Sequence, residues 1–208
     1  MENNEQMKNM RSDANPEVRN RDSAKNSVLL YLHDLVCLLS GIILVLLLLF
    51  RIVIVSGPSM NNTLIDGDYL LLLSNVFYVQ PKHGDIIVAT KADFKDGEPI
   101  IKRVIATEGQ VVDIDFDAGV VFVDGTPLVE PYTLTPTNQE EGMSFPLTVD
   151  EDCIFVMGDN RNLSKDSRNP EIGLIDARQV LGKAIFLIFP GNNGGLVSRD
   201  INRIGVVS

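Results

Sequence analysis

The sequence predicts a mainly β protein: an antiparallel β-rich domain behind one N-terminal transmembrane helix. Three features carry that reading. An apolar run of 23 residues, Val28 to Phe50, precedes everything else that could fold. Beyond it, short apolar stretches are separated by turn residues, and helical periodicity is almost absent.

Residues 1–27 are polar, rich in Asn and in mixed charge, so a disordered tail is expected there. The run 28–50 is broken only by Tyr31, His33, Asp34 and Ser40. As a helix it would extend roughly 35 Å at about 1.5 Å per residue, enough to cross a hydrocarbon layer of about 30 Å. It is longer than the apolar part of a cleaved leader, and Phe50-Arg51 is no small-residue cleavage site, so an uncleaved anchor is expected. Lys8, Arg11, Arg19, Arg21 and Lys25 precede the span, whereas no basic residue follows Arg51 until Lys82. That asymmetry predicts a cytoplasmic N-terminus and an extracytoplasmic domain over residues 51–208.

Strands are expected at Tyr69–Leu73, Asp85–Thr90, Ile100–Ala106, Gln110–Asp115, Val120–Val123, Cys153–Met157 and Gly182–Phe189. Asp124-Gly125 marks a hairpin turn, and one helical turn is expected near Asp176–Val180. The segments from Thr133 to Phe145 and after Pro190 read as surface loops.

Composition narrows the chemistry. Residues 52–208 hold 12 Lys+Arg against 22 Asp+Glu, and an acidic surface without a basic stripe argues against nucleic acid as partner. Cys37 and Cys153 make no disulfide framework, and two histidines, His33 and His83, are too few for a His-based metal site. No metal or organic cofactor is expected.

The turn Val55-Ser56-Gly57-Pro58-Ser59-Met60 holds one hydroxyl on a stiff backbone, because Pro58 fixes its own φ and restricts the residue before it. Ser59 is therefore a candidate nucleophile, although Gly-Pro-Ser is also ordinary turn chemistry. A serine needs a base. His83 is one candidate and Lys102, within Ile100-Ile101-Lys102-Arg103-Val104-Ile105, is the other. Strand alternation would place Lys102 and Arg103 on opposite faces, one of them solvated. Should Lys102 face inward, burial would favour its neutral amine, able to take the serine proton. The run from Gly158 to Arg168 is either a solvated loop or a self-bonded polar turn, with Asp166 and Arg168 paired and Ser164 reaching toward the site.

Taken in order, Ser59-Met60 with Thr63-Leu64, His83-Gly84-Asp85-Ile86-Ile87, Ile101-Lys102-Arg103-Val104-Ile105 and Gly158-Asp159-Asn160-Arg161 through Ser164-Lys165-Asp166-Ser167-Arg168 resemble the motifs of type I signal peptidases, the bacterial leader peptidases. The resemblance runs from about Val28 to Phe189. It implies a signal-peptidase-like β-rich fold and a membrane-anchored Ser/Lys serine endopeptidase that removes signal peptides from exported preproteins at the outer face of the cytoplasmic membrane. On matching positions, Ser59 would be the nucleophile, Lys102 the general base, Ser164 the group holding the amine, and Asp166 with Arg168 the supporting pair. The Ser59 amide would stabilise the oxyanion. Substrate would lie as an extended strand along the segments leading to Ser59 and Lys102, here Val55, Met60, Ile100 and Ile101, with small residues selected at the first and third positions before the cut.

The chain departs from that pattern at Met60-Asn61-Asn62-Thr63-Leu64, which lacks a proline, and at Ala106-Thr107-Glu108-Gly109-Gln110. Gly57 stands where some members place an oxyanion serine, which leaves Ser56 or the backbone alone for that role. A membrane-tethered binding module of the same fold, without catalysis, is the rival of another class. A Ser/His enzyme using His83 is the chemical rival. A self-cleaving Ser/Lys repressor would need a DNA-binding helix-turn-helix that residues 1–27 are too short and polar to form.

Overall fold

The computed structural model describes residues 16–91, 94, 97–192 and 199–207. The chain divides into two units, Met1–Leu47 and Leu48–Ser208. The helix α1 spans Pro16–Leu49. Proline suits the first turn of a helix, where its missing N–H is no loss. The helix thus begins well before the apolar run, so 16–27 is helical backbone rather than the disordered chain expected. A long apolar helix extends readily into flanking residues once nucleated. The rest of the expected tail, 1–15, lies outside the described residues. Ser27–Leu49 has a mean hydropathy of 2.6 and, among the described residues, is the one helix long and apolar enough to cross a membrane.

The second unit is built from two antiparallel sheets. In chain order the strands are β1 (Phe50–Ile54), β2 (Tyr69–Ser74), β3 (Ile86–Ala89), β4 (Ile100–Thr107), β5 (Val111–Asp115), β6 (Val120–Val123), β7 (Thr126–Pro127), β8 (Leu147–Thr148), β9 (Cys153–Met157), β10 (Ile175–Asp176), β11 (Val180–Phe189) and β12 (Gly205–Val206). The larger sheet runs β1-β2-β11-β3-β4-β9-β10, with β12 also on β11, and the smaller runs β7-β6-β5-β8. Every strand expected from sequence forms, with ends shifted by a residue or two. The expected helical turn appears as a short 3₁₀ turn at Ala177–Gln179, capped by Asp176.

Five strands were not expected. β1 was hidden because Phe50 reads as the end of the apolar span, yet Phe50–Ile54 pairs in full register with Tyr69–Leu73. β7, β8, β10 and β12 are two residues each, too short to carry an alternation signal. The loop 133–145 is also less superficial than its polarity suggests, since Thr137 is buried within it.

Three apolar clusters fill the domain. One joins β2, β3, β4 and β11 to the turn after β1 through Val55, Met60, Leu70, Leu72, Val88, Ile101 and Ala184. A second lies around Ile87, Val104, Val156 and Phe94. The third couples the two sheets through Val112, Val121, Phe155 and Met157. Met60 and Ile101 belong to the first cluster, so the residues beside Ser59 and Lys102 are anchored in one piece of core.

Candidate functional site

Ser59 follows β1 on a turn fixed at both ends. Val55 N–H donates to Asp68 O at 2.9 Å and Gly67 N–H to Val55 O at 2.9 Å. Gly57 has φ +87°, a backbone region that favours glycine, and its N–H donates to Asp66 Oδ1 at 2.8 Å. Met60 plugs the turn into the core at 1% exposure.

Lys102 lies in β4, whose pairing with β3 places Lys102 opposite Ile87. Its Nζ donates to Ser59 Oγ at 2.9 Å and to Ile101 O at 3.0 Å. Neither Lys102 nor Arg103 is solvated, contrary to the strand-alternation expectation: their exposures are 5% and 2%. The alternation is real, but both faces of β4 are covered. Lys102 meets Ser59, whereas Arg103 enters a polar interior where Nε and Nη2 donate to Asp159 at 2.9 and 2.8 Å and Nη1 donates to Gly84 O at 2.8 Å. The Arg103 guanidinium also stacks 3.9 Å from the Tyr132 ring centroid.

The segment after β9 is a packed polar turn. Asp166 and Arg168 are fully buried and joined by Arg168 Nε to Asp166 Oδ1 at 2.8 Å and Nη2 to Oδ2 at 2.9 Å. Gly158 N–H also donates to Asp166 Oδ2 at 3.0 Å. Burial works against the Arg168 charge, but the Asp166 carboxylate and, beyond it, Glu141 outweigh this and hold the guanidinium above its usual range. The turn reaches Ser59 directly, since Asn160 N–H donates to Ser59 O at 3.0 Å and Asn160 Nδ2 to Pro58 O at 3.1 Å. Contact is so close that a Cβ on Gly158 would lie 2.2 Å from Ser164 Oγ and 2.4 Å from Ser59 O. Ser164 is buried beside this contact, and its Oγ has no hydrogen-bond partner among the described residues.

A cleft of about 310 Å³ runs past these groups. Val55, Ser56, Gly57, Ser59, Met60, Ile100, Ile101 and Lys102, all named from sequence, share its wall. Ser164, Asp166 and Arg168 do not line it; they back it. His83 is not in the cleft wall either, and its Nδ1 is 2.8 Å from Ile105 O. Among the described residues no cluster of His, Cys, Asp and Glu could hold a metal ion.

Sequence reading missed most of the backing. Asp159 accepts not only from Arg103 but from the Thr63 hydroxyl, which ties the Ser59 turn to the strand of Lys102. Arg161 is buried and bonds to Glu130 and, at 2.7 Å, to Thr137 Oγ1. The available signal was the density of Arg and Asp directly after an apolar strand, which polarity alone assigns to solvent.

The chain matches a family model described as signal peptidase, peptidase S26, over residues 28–189. It is 35% identical over 176 residues to signal peptidase I of Bacillus licheniformis, covering 81% of this chain and 92% of that protein. It is 33% identical over 181 residues to signal peptidase I T of Bacillus subtilis strain 168, covering 82% and 91%. A crystal structure of a signal peptidase I from Enterococcus faecalis V583 aligns with a TM-score of 0.42 and 28% identity, covering 50% of this chain and 96% of that one.

Proposed function

The chain belongs to the signal peptidase family, peptidase S26, and from that premise we propose that it cleaves signal peptides as a Ser/Lys serine endopeptidase with Ser59 as nucleophile and Lys102 as general base. The observation that carries the assignment is the 2.9 Å contact between Lys102 Nζ and Ser59 Oγ, made by a lysine only 5% exposed. Removing an ammonium from water disfavours its charge, so burial draws Lys102 toward the neutral amine. A neutral amine turns its lone pair to the hydroxyl and accepts its proton as Oγ attacks the scissile carbonyl. The resulting ammonium then protonates the leaving amine, and the same pair activates water to release the acyl group.

The Ser59 N–H, which donates to no acceptor among the described residues, stabilises the oxyanion, a contribution of about 3 kcal/mol for a single donor. Ser56, in the cleft wall, is the nearest side-chain hydroxyl in sequence and the candidate for a second donor. Asp166 and Arg168 act by holding the turn that bonds Ser59, whereas Ser164, expected to hold the Lys102 amine, makes no hydrogen bond to it through its Oγ. Substrate lies extended along Val55, Met60, Ile100 and Ile101, whose buried, close-set side chains favour small residues near the cut.

We place the enzyme in the cytoplasmic membrane through the apolar part of α1, Ser27–Leu49, with its N-terminus cytoplasmic and residues 51–208 as the extracytoplasmic catalytic domain, because the Lys and Arg residues precede the span. Secretory preproteins and the lipid bilayer are its partners. The test is cleavage of a preprotein with an Ala-x-Ala site by detergent-solubilised protein, together with its Ser59→Ala and Lys102→Ala variants. Loss in both variants with folding unchanged is expected. Cleavage surviving in either would overturn the dyad, and an inactive parent would favour the tethered binding module.

A further inference from the structure

Among the described residues, three ionisable side chains line the cleft: Glu98, Lys102 and Lys165. Lys102 is committed to Ser59. Lys165 already has a partner, since its Nζ is 2.6 Å from Glu171 Oε2 and lies 5.4 Å from the Phe94 ring centroid. Glu98 is different. It is exposed at the rim and forms no hydrogen bond or ion pair among the described residues.

We propose that Glu98 is a specificity-determining residue, selecting a basic side chain in the substrate about four residues from the scissile bond. This rests on the functional reading above. Residues 53–58, which precede Ser59, and residues 98–101, which precede Lys102, line the cleft together, so it extends from the catalytic pair alongside both segments. Glu98 stands four positions before Lys102, about 13 Å along extended chain at roughly 3.3 Å per residue. An extended substrate keeps the same step, so its side chain about four residues from the cut comes level with Glu98. Pro99 directly follows and holds Glu98 in extended backbone, which fixes where the carboxylate is presented. Among the described residues, the apolar wall at Val53, Val55 and Ile101 offers a substrate charge no other partner. Lys165, also in the wall, is paired with Glu171, which weakens its pull on an acidic substrate residue.

The experiment uses the full-length protein in detergent with peptides in which Lys, Gln or Glu is scanned through the residues on both sides of the cut. kcat/KM is measured for the parent, Glu98→Gln and Glu98→Lys. The parent is expected to prefer Lys over Glu about fivefold at one position, as for an ion pair open to solvent. The preference should vanish in Glu98→Gln, reverse in Glu98→Lys and weaken with salt, while the Gln peptides are cut equally by all three. Equal cleavage of every peptide by the parent, or a preference that survives Glu98→Gln, would overturn the role of Glu98 alone. Failure of the parent to cut even the neutral peptides would overturn the functional reading and this one with it.

Discussion

The cleft and the polar interior behind it are made of the same residue types and put them to opposite uses. At the cleft, one lysine and one serine meet through a hydrogen bond, and a glutamate stands at the rim with no ion pair among the described residues. Behind it, Arg103, Arg161 and Arg168 are each buried against a carboxylate and bonded to at least one further oxygen. Charge held between several partners becomes scaffold, whereas at the cleft an amine and a hydroxyl face each other at hydrogen-bond distance. The two regions touch at Asn160 and Gly158, so the rigidity of one sets the geometry of the other.

Breaking the reactive pair should have the largest effect. Ser59→Ala and Lys102→Ala should each lower kcat/KM by at least about 10³-fold, with little change in thermal unfolding, because neither removal leaves a buried charge without its partner. Equal loss of stability would mean that Lys102 is scaffold as well.

Breaking the scaffold reverses the pattern. Asp166→Asn leaves the Arg168 guanidinium buried without its carboxylate and should cost about 3–5 kcal/mol in denaturant unfolding. Activity falls with it only to the extent that the turn at Ser59 loosens. Gly158→Ala probes the seam between the regions. Its Cβ cannot fit 2.4 Å from Ser59 O, so the serine must shift. A misplacement of that kind lowers kcat by about 10²-fold, against a stability cost of about 1–3 kcal/mol. Unchanged kcat with reduced stability would show that the seam transmits nothing.

A pair outside the cleft wall, Asp85 with Lys183, gives the smallest effect. Burial pushes the Asp85 carboxyl up, yet hydrogen bonds from Lys183 and Tyr78 and from the Lys82 amide more than offset this and hold it below its ordinary 3.8. A depressed carboxylate adds stability above its unfolded pKa and loses it as pH falls through the folded one. Asp85→Asn should therefore cost about 1 kcal/mol at neutral pH, and the gap should close as pH drops below 3.8.

The same contrast explains what the sequence revealed. The strands and the Ser59/Lys102 pair were legible because they rest on local patterns: apolar runs between turns, a serine after Gly-Pro, a lysine set among isoleucines. The interior was not, because Arg161 against Glu130 and Thr63 against Asp159 join residues 31 and 96 positions apart. A loop rich in Arg, Asn and Asp looks solvated until a second sheet and the 133–145 loop cover it. Resemblance of motifs named Asp166 and Arg168 but not Arg103 with Asp159, whose pairing appears only once β4 and β9 lie side by side. Five strands escaped for simpler reasons, since four have two residues and β1 continues an apolar helix without a break.

The proposed base for Ser59 is the buried Lys102 amine. The most direct measurement is kcat/KM on one preprotein across pH for the parent, Lys102→Ala and His83→Ala. With Lys102 as the base, parental activity should rise with pH through a single deprotonation, the same profile should hold in His83→Ala, and Lys102→Ala should be inactive at any pH. A profile that persists in Lys102→Ala and disappears in His83→Ala would contradict it.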